Sequence, residues 1–362
     1  YNGGDYLKRS VASVLNQTYK DFEFLIINDR SMDNTVEIIE SFNDPRVVIH
    51  TNEENMGQTR SLDLGLKLAQ GEWIARMDAD DFAFNHWLEI QMSFVEKHPG
   101  FAVVSADAIV IYEHDQIMKK SIACASQDDV ILKSFVQSPI NHVGSVMNKK
   151  IAIEVDGYDE KYWTVADYDL WRKLICNDYK LTSSQETCIA IRRHNASLSF
   201  QDLGENYYNE VAEVTLPIIS KYSSVKITQE ELSALVRALY SPEKVSNVDF
   251  EQSIACIKAI GDNILTEKFS QSSRVTSWSK KYIKELILKR IQVLILKKDF
   301  LGIRMAALKG IAHEGIFNSY LYFVLASYFG GIFLGFVPKL YCSLQRRRVI
   351  SFEKLLIESR QN

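Results

Sequence analysis

The chain has 362 residues, long enough for two domains, and its 46% apolar and 24% charged content describes a folded globular protein and excludes a disordered one. Five cysteines (Cys124, Cys176, Cys188, Cys256, Cys342) are scattered, odd in number and never spaced Cys-x-x-Cys, which excludes a disulfide scaffold or zinc site and fits a reducing compartment. The net charge of −4 is uneven: residues 280–348 hold thirteen Lys and Arg against three acids, a local +10 that leaves −14 for the rest.

The opening Tyr1-Asn2-Gly3-Gly4 reads as a loop already leaving a strand, so a first strand is expected upstream. Gly4 to Asn16 places Leu7, Val11, Val14 and Leu15 on one helical face, and Phe24 to Ile27 is a short buried run. A helix opening at Asp33 carries Val36, Ile39 and Phe42; Val47-Val48-Ile49 is a strand; a helix bearing Leu62, Leu66 and Ala69 follows. Trp73 to Met77 is the next strand and runs directly into Asp78. Strand–helix alternation with short connections predicts an α/β fold with a mostly parallel sheet covered on both faces, and ligands at the carboxyl ends of its strands. Asp29 and Asp78 stand at such ends. Later elements are a long strand from Phe101 to Tyr112, a shorter one from Val143 to Met147, a helix from Asp167 to Cys176 and a last strand over 187–193. Beyond about residue 200 strand signals fade into helical patterns, which sets a domain boundary near 215 and a helical extension over 216–362.

The run Asp78-Ala79-Asp80-Asp81 ends a buried strand with alternating carboxylates. In an extended segment, residues two apart share a side, so Asp78 and Asp80 face one ligand and Asp81 points elsewhere. Hard carboxylate oxygens suit Mg²⁺ or Mn²⁺, ions commonly shared with substrate phosphates. The alternative is a surface turn capping a helix from Phe82 onward, and a bare Asp-x-Asp does not separate the two.

The company of that run does. Asn28-Asp29-Arg30-Ser31-Met32-Asp33, Asn55-Met56-Gly57-Gln58-Thr59-Arg60, Asp78-Ala79-Asp80-Asp81, Gly157-Tyr158-Asp159-Glu160 and Ala166-Asp167-Tyr168-Asp169-Leu170-Trp171 follow one another in order. As a set they closely resemble the family-2 glycosyltransferases of the GT-A fold over roughly residues 1–200, and Tyr1-Asn2 resembles the end of that family's Pro-x-Tyr-Asn motif. The resemblance implies an inverting transferase that takes a sugar from a nucleotide-diphosphate donor with a divalent metal, Mn²⁺ or Mg²⁺. It implies that Tyr1 and Asp29 meet the nucleobase with Arg60 nearby, that Asp78 binds ribose, that Asp80 holds the metal, that His194 touches the metal or the diphosphate, and that Asp167 is the catalytic base. It also points to bacterial cell-surface polysaccharide assembly, with a saccharide or lipid-linked saccharide as acceptor. Ala166 departs from the family, which often carries Glu there.

For Asp167 the physics pulls two ways. A helix N-terminus lowers a carboxylate pKa, whereas a general base works best near the ambient pH. An acidic cleft and loss of water push the value back up. The structural alternative is a helix N-cap at Asp167, with Asp169 as a second candidate.

In the tail, residues 280–310 interleave basic side chains with Ile283, Leu286, Ile287, Ile291, Leu294 and Ile295 at helical spacing, the pattern of a helix on an anionic membrane or of one docked on the catalytic domain with a solvated basic face. Gly315 to Pro338 has 24 residues without a charge and eight aromatic rings. Its basic flanks and Gly330-Gly331 favour a hairpin in the membrane over a full span, with a buried helix pair as the alternative. The expectation is a cytoplasmic protein, peripheral on the inner face of the plasma membrane through 280–348, with no nucleic-acid partner. No Gly-x-Gly-x-x-Gly follows a strand and no phosphate-binding Gly-x-x-x-x-Gly-Lys occurs, which disfavours a dinucleotide-dependent oxidoreductase. An inactive nucleotide-sugar-binding subunit remains the competing reading.

Overall fold

The computed structural model describes residues 1–112, 115–194, 204–270 and 272–296. The apolar stripe of the first helix, α1 (Gly4–Leu15), is buried at Leu7, Val11, Val14 and Leu15, and packs with Ile39 of α2 (Thr35–Glu40) onto strands β1 (Phe24–Asn28) and β2 (Val47–Thr51). β1 and β2 pair in parallel as a two-stranded sheet, and α3 (Gln58–Leu68) leads on to β3 (Trp73–Ala75). The chain then forms β4 (Phe82–Ala83), α4 (Trp87–Lys97), β5 (Phe101–Ile111), β6 (Ile117–Ser121), α5 (Gln127–Lys133), β7 (Val146–Asn148), α6 (Lys149–Glu154), α7 (Ala166–Cys176), β8 (Lys180–Arg192) and α8 (Gly204–Tyr222).

The second sheet has the order β3-β7-β5-β8-β4, with β6 beside β5. It is mixed, which corrects the mostly parallel expectation: β5 and β8 run parallel, but β3–β7, β5–β7, β4–β8 and β5–β6 are antiparallel. A continuous apolar run signals a strand covered on both faces, as β5 is, and carries no information about direction.

Two units make up the chain, one spanning Tyr1–Lys221 and the other beginning at Tyr222. In the second, α9 (Gln229–Tyr240) starts with a capping box between Thr228 and Glu231, and α10 (Asn247–Asp262) and α11 (Ser272–Leu296) pack with it. Tyr282, Ile283, Leu286 and Ile287 of α11 are buried, and the helix packs against α9 and α10 of its own unit; residues 297–310 of the basic stretch lie outside the described residues. Among the described residues no helix is long and apolar enough to cross a membrane. The uncharged block 315–338 and the rest of the basic tail lie outside the described residues.

One backbone position ties the sheet to the functional end of the first unit. Gly144, at φ +81°, donates its N–H to the Arg76 carbonyl at 2.8 Å, and its own carbonyl accepts from Trp87 Nε1 at 2.8 Å and Gln91 Nε2 at 3.1 Å. This turn is why β7 begins at Val146 and not at Val143. A Cβ here would sit 2.3 Å from Ile189 Cγ1 in a backbone region that favours glycine. Gly144→Ala should therefore destabilise the first unit by about 3–5 kcal/mol, read as a lower urea midpoint on the full chain.

Candidate functional site

β3 stops at Ala75, but Arg76 continues the ladder by donating its N–H to the Ser145 carbonyl at 3.0 Å. Ser10 of α1 donates its hydroxyl to the Asp78 carbonyl at 2.9 Å, and a turn at Ala79-Asp80 redirects the chain into β4. That turn defeats the strand alternation. The carboxylates of Asp78, Asp80 and Asp81 all converge, with one oxygen from each within 4.8 Å of the others. Asp81, expected to point away, is 3% exposed and accepts the Arg192 N–H at 2.7 Å. Burial first, then the charges of Asp78 and Asp80, hold its pKa well above the usual carboxylate range.

Each acid has its own cationic or donor partner. Arg76 Nη2 pairs with Asp78 Oδ1 at 2.5 Å, and His194 Nε2 meets Asp80 Oδ2 at 2.9 Å. Arg192, whose guanidinium pairs with Asp115 at 3.0 Å and donates to the Asp80 carbonyl at 3.2 Å, lies 4.5 Å over the Tyr6 ring; the His194 ring lies 5.3 Å from the same ring. β4–β8 pairing, with Phe82 opposite Ala190, brings 192–194 to the acidic turn. Three hard carboxylates on one turn, with the His194 imidazole beside Asp80, fit Mg²⁺ or Mn²⁺, and the mutual repulsion of the carboxylates fits a dication between them.

Asp167 is half-buried in the first turn of α7, whose N-cap is Val165, so the N-cap alternative does not hold. Burial raises its pKa above the usual carboxylate value, with the Asp78 charge adding to the rise; the Tyr168 N–H and the Arg76 guanidinium oppose it. Asp169 is fully buried and ion-paired with Arg172 at 2.6 Å and Lys173 at 3.3 Å, a structural role. Ala166 is itself buried. Nearby, His142 Nε2 meets the Tyr158 hydroxyl at 2.7 Å, and burial followed by the Arg76 charge pulls the His142 pKa well below its ordinary value.

At the β1 end, Asp29 is 5% exposed and builds the loop before α3: it accepts from Asn52 Nδ2 and the Met56 N–H, both at 2.8 Å, and from the Gly57 N–H at 2.9 Å. Burial alone would raise its pKa, but these hydrogen bonds together outweigh it and lower the value. Tyr1 is exposed beside the same loop end, where Asn2 donates its N–H to Ser31 Oγ and accepts from the Met32 N–H, each at 2.9 Å. Arg60, in the first turn of α3, pairs with Glu160 at 2.5 Å, both more than half exposed. Asp78, Asp80 and His194 thus come together with Asp81, while Tyr1, Asp29 and Arg60 stand at the β1 and α3 ends.

Arg76 and His142 escaped sequence reasoning, Asp81 was read as pointing away from the ligand, and Tyr158 entered only through the run Gly157-Tyr158-Asp159-Glu160. Arg76 carried a signal of its own: a charged side chain inside an otherwise apolar strand pattern, Trp73 to Met77. If the acidic turn is a cation site, Mn²⁺ or Mg²⁺ at a hundredfold excess over its Kd should raise the melting temperature of the first transition by about 5 °C. Asp80→Ala should remove most of that rise in differential scanning calorimetry.

The family model for glycosyl transferase family 2 matches residues 1–145. An uncharacterized glycosyltransferase of Methanocaldococcus jannaschii is 33% identical over 193 residues, which cover 52% of this chain and 67% of that protein. One of Haemophilus influenzae is 36% identical over 117 residues, and the match spans only 36% of its length. In fold, the solved structure of S. aureus TarS 1–349 in complex with UDP-GlcNAc aligns over 87% of each chain with a TM-score of 0.53 and 17% identity.

Proposed function

Because the chain belongs to glycosyl transferase family 2, we propose that it moves a sugar, with inversion, from a nucleotide-diphosphate donor to a hydroxyl of a saccharide or lipid-linked saccharide in cell-surface polysaccharide synthesis. The observation that carries this reading is the convergence of Asp78, Asp80 and Asp81 with His194, in the same electrostatic field as the raised-pKa Asp167. UDP-GlcNAc, bound in the TarS structure, makes an N-acetylhexosamine donor the first to try.

In this reading Tyr1, Asp29 and Arg60 receive the nucleobase and Asp78 accepts from the ribose. Asp80 and His194, with Asp81 beside them, hold Mn²⁺ or Mg²⁺. When bound, that ion supplies positive charge to the diphosphate leaving group. Asp167 takes the proton from the acceptor hydroxyl as its oxygen attacks the anomeric carbon from the side opposite the diphosphate. The bond between that carbon and the phosphate oxygen breaks, and its electron pair leaves with the nucleoside diphosphate. Half-burial suits Asp167 to this work, since a carboxylate with a raised pKa is the stronger base.

The catalytic role falls to residues 1–215 and the extension to 216–362. The charge pattern of 280–348 supports contact with an anionic membrane surface from the cytoplasmic side, and a lipid-linked acceptor would then lie within reach.

Screening UDP-, GDP-, ADP-, CMP- and dTDP-sugars for metal-dependent hydrolysis tests the reading, and a chain inactive on all of them would sink it. Asp167→Asn should lower turnover by about 10³-fold while leaving nucleotide affinity within about twofold. A raised pKa in the base also fixes a sign. Activity should fall as pH drops through the Asp167 value, so the acid limb of kcat should lie above about pH 4, the ordinary carboxylate range.

A further inference from the structure

Arg76 is 7% exposed, yet only one face of its guanidinium is bonded: Nη2 pairs with Asp78, while Nε and Nη1 are buried with no hydrogen-bond partner. Burying an arginine this way gains little stability, because desolvation of the ion offsets most of the attraction to its partner. Its place is more telling than its bonds. Backbone bonds to Gly144 and Ser145 clamp it at the end of β3, and Asp81, Tyr158, His142 and Asp167 all lie within its field.

The three acids of the turn are consequently unequal. Asp78 faces a permanent cation at 2.5 Å, Asp80 faces an imidazole, and Asp81 faces a backbone N–H. A carboxylate neutralised by arginine is a poor ligand for a second cation but a good fixed acceptor for a hydroxyl.

We propose that Arg76 is a positioning residue that holds the Asp78 carboxylate as a hydrogen-bond acceptor for the donor and directs the divalent cation to Asp80 and Asp81. The proposal rests on the reading of the turn as a donor site. It predicts that nucleotide and metal affinities respond differently to loss of the guanidinium, because removing a cation beside the cluster leaves the remaining acids more attractive to Mn²⁺.

The test measures two affinities on the full chain: Mn²⁺ alone by electron paramagnetic resonance, and UDP, GDP, ADP, CMP and dTDP in saturating Mn²⁺ by calorimetry. In Arg76→Met the nucleotide that binds wild type should weaken by about tenfold or more, while Mn²⁺ alone binds as tightly as before or tighter. Arg76→Lys, which keeps the charge and loses the fork, should recover part of the loss. Equal nucleotide affinity in wild type and Arg76→Met overturns the proposal, and so does a parallel loss of both ligands, which marks a purely structural role. If Arg76→Met does not fold, a double-mutant cycle of Arg76→Lys with Asp78→Asn decides the matter. Non-additive effects on nucleotide affinity support the proposal, and additive ones overturn it. A wild-type chain that binds Mn²⁺ but none of the nucleotides defeats the donor-site reading itself, and the proposal with it.

Discussion

Carboxylates crowded within 4.8 Å of one another repel, and the turn from Asp78 to Asp81 keeps three of them there. The surrounding fold is arranged to make that tolerable. Arg76 arrives on the end of β3, and the Arg192 N–H and His194 on the end of β8, so two separate stretches of backbone converge on one turn. The two-residue strand β4 does the joining. Too short to add much core, it pairs with β8 and draws 192–194 across the mouth of the site. Gly144 does the same from the other side, holding Arg76 through a turn that no side chain larger than hydrogen fits.

Much of this frame is legible in the sequence, because long amphipathic elements announce themselves. The stripe Leu7, Val11, Val14, Leu15 and the run from Phe101 match α1 and β5 within a residue or so, and α7 begins one residue before Asp167. Strand direction is not legible, since burial on both faces reads the same in parallel and antiparallel sheets. Nor is a two-residue strand, which has no period. The stripe of α11 shows the same limit in another form: Ile283, Leu286 and Ile287 declare an apolar face but not what covers it, and α9 and α10 do.

The site was legible in its acids and not in their relations. Asp78, Asp80 and Asp167 stand out as residues at element ends, but the contact of His194 with Asp80 spans 114 positions, a distance no local pattern encodes. The alternation rule misplaced Asp81 because it assumes an extended chain, and the chain turns at Ala79-Asp80. Arg76 was hidden by its setting in an apolar strand, where a single charge reads as an interruption rather than as the counter-ion of its second neighbour.

Charge balance then constrains how the site works. Asp78, Asp81 and Asp167 lie in the field of the buried Arg76 guanidinium, and Asp78, Asp80 and Asp81 in that of Arg193; Asp115 is shared by Arg9 and Arg192, and His142 is held neutral by burial. The raised pKa values of Asp81 and Asp167 record burial first, with the charges of neighbouring acids adding to it. A diphosphate brought alone against the three carboxylates of the turn would meet their repulsion. In the proposed reading a divalent ion bound first would reverse the sign of that encounter, which favours metal binding before or together with the donor. It also leaves Asp167, set apart on α7, as the acid still free to accept a proton once the turn is neutralised.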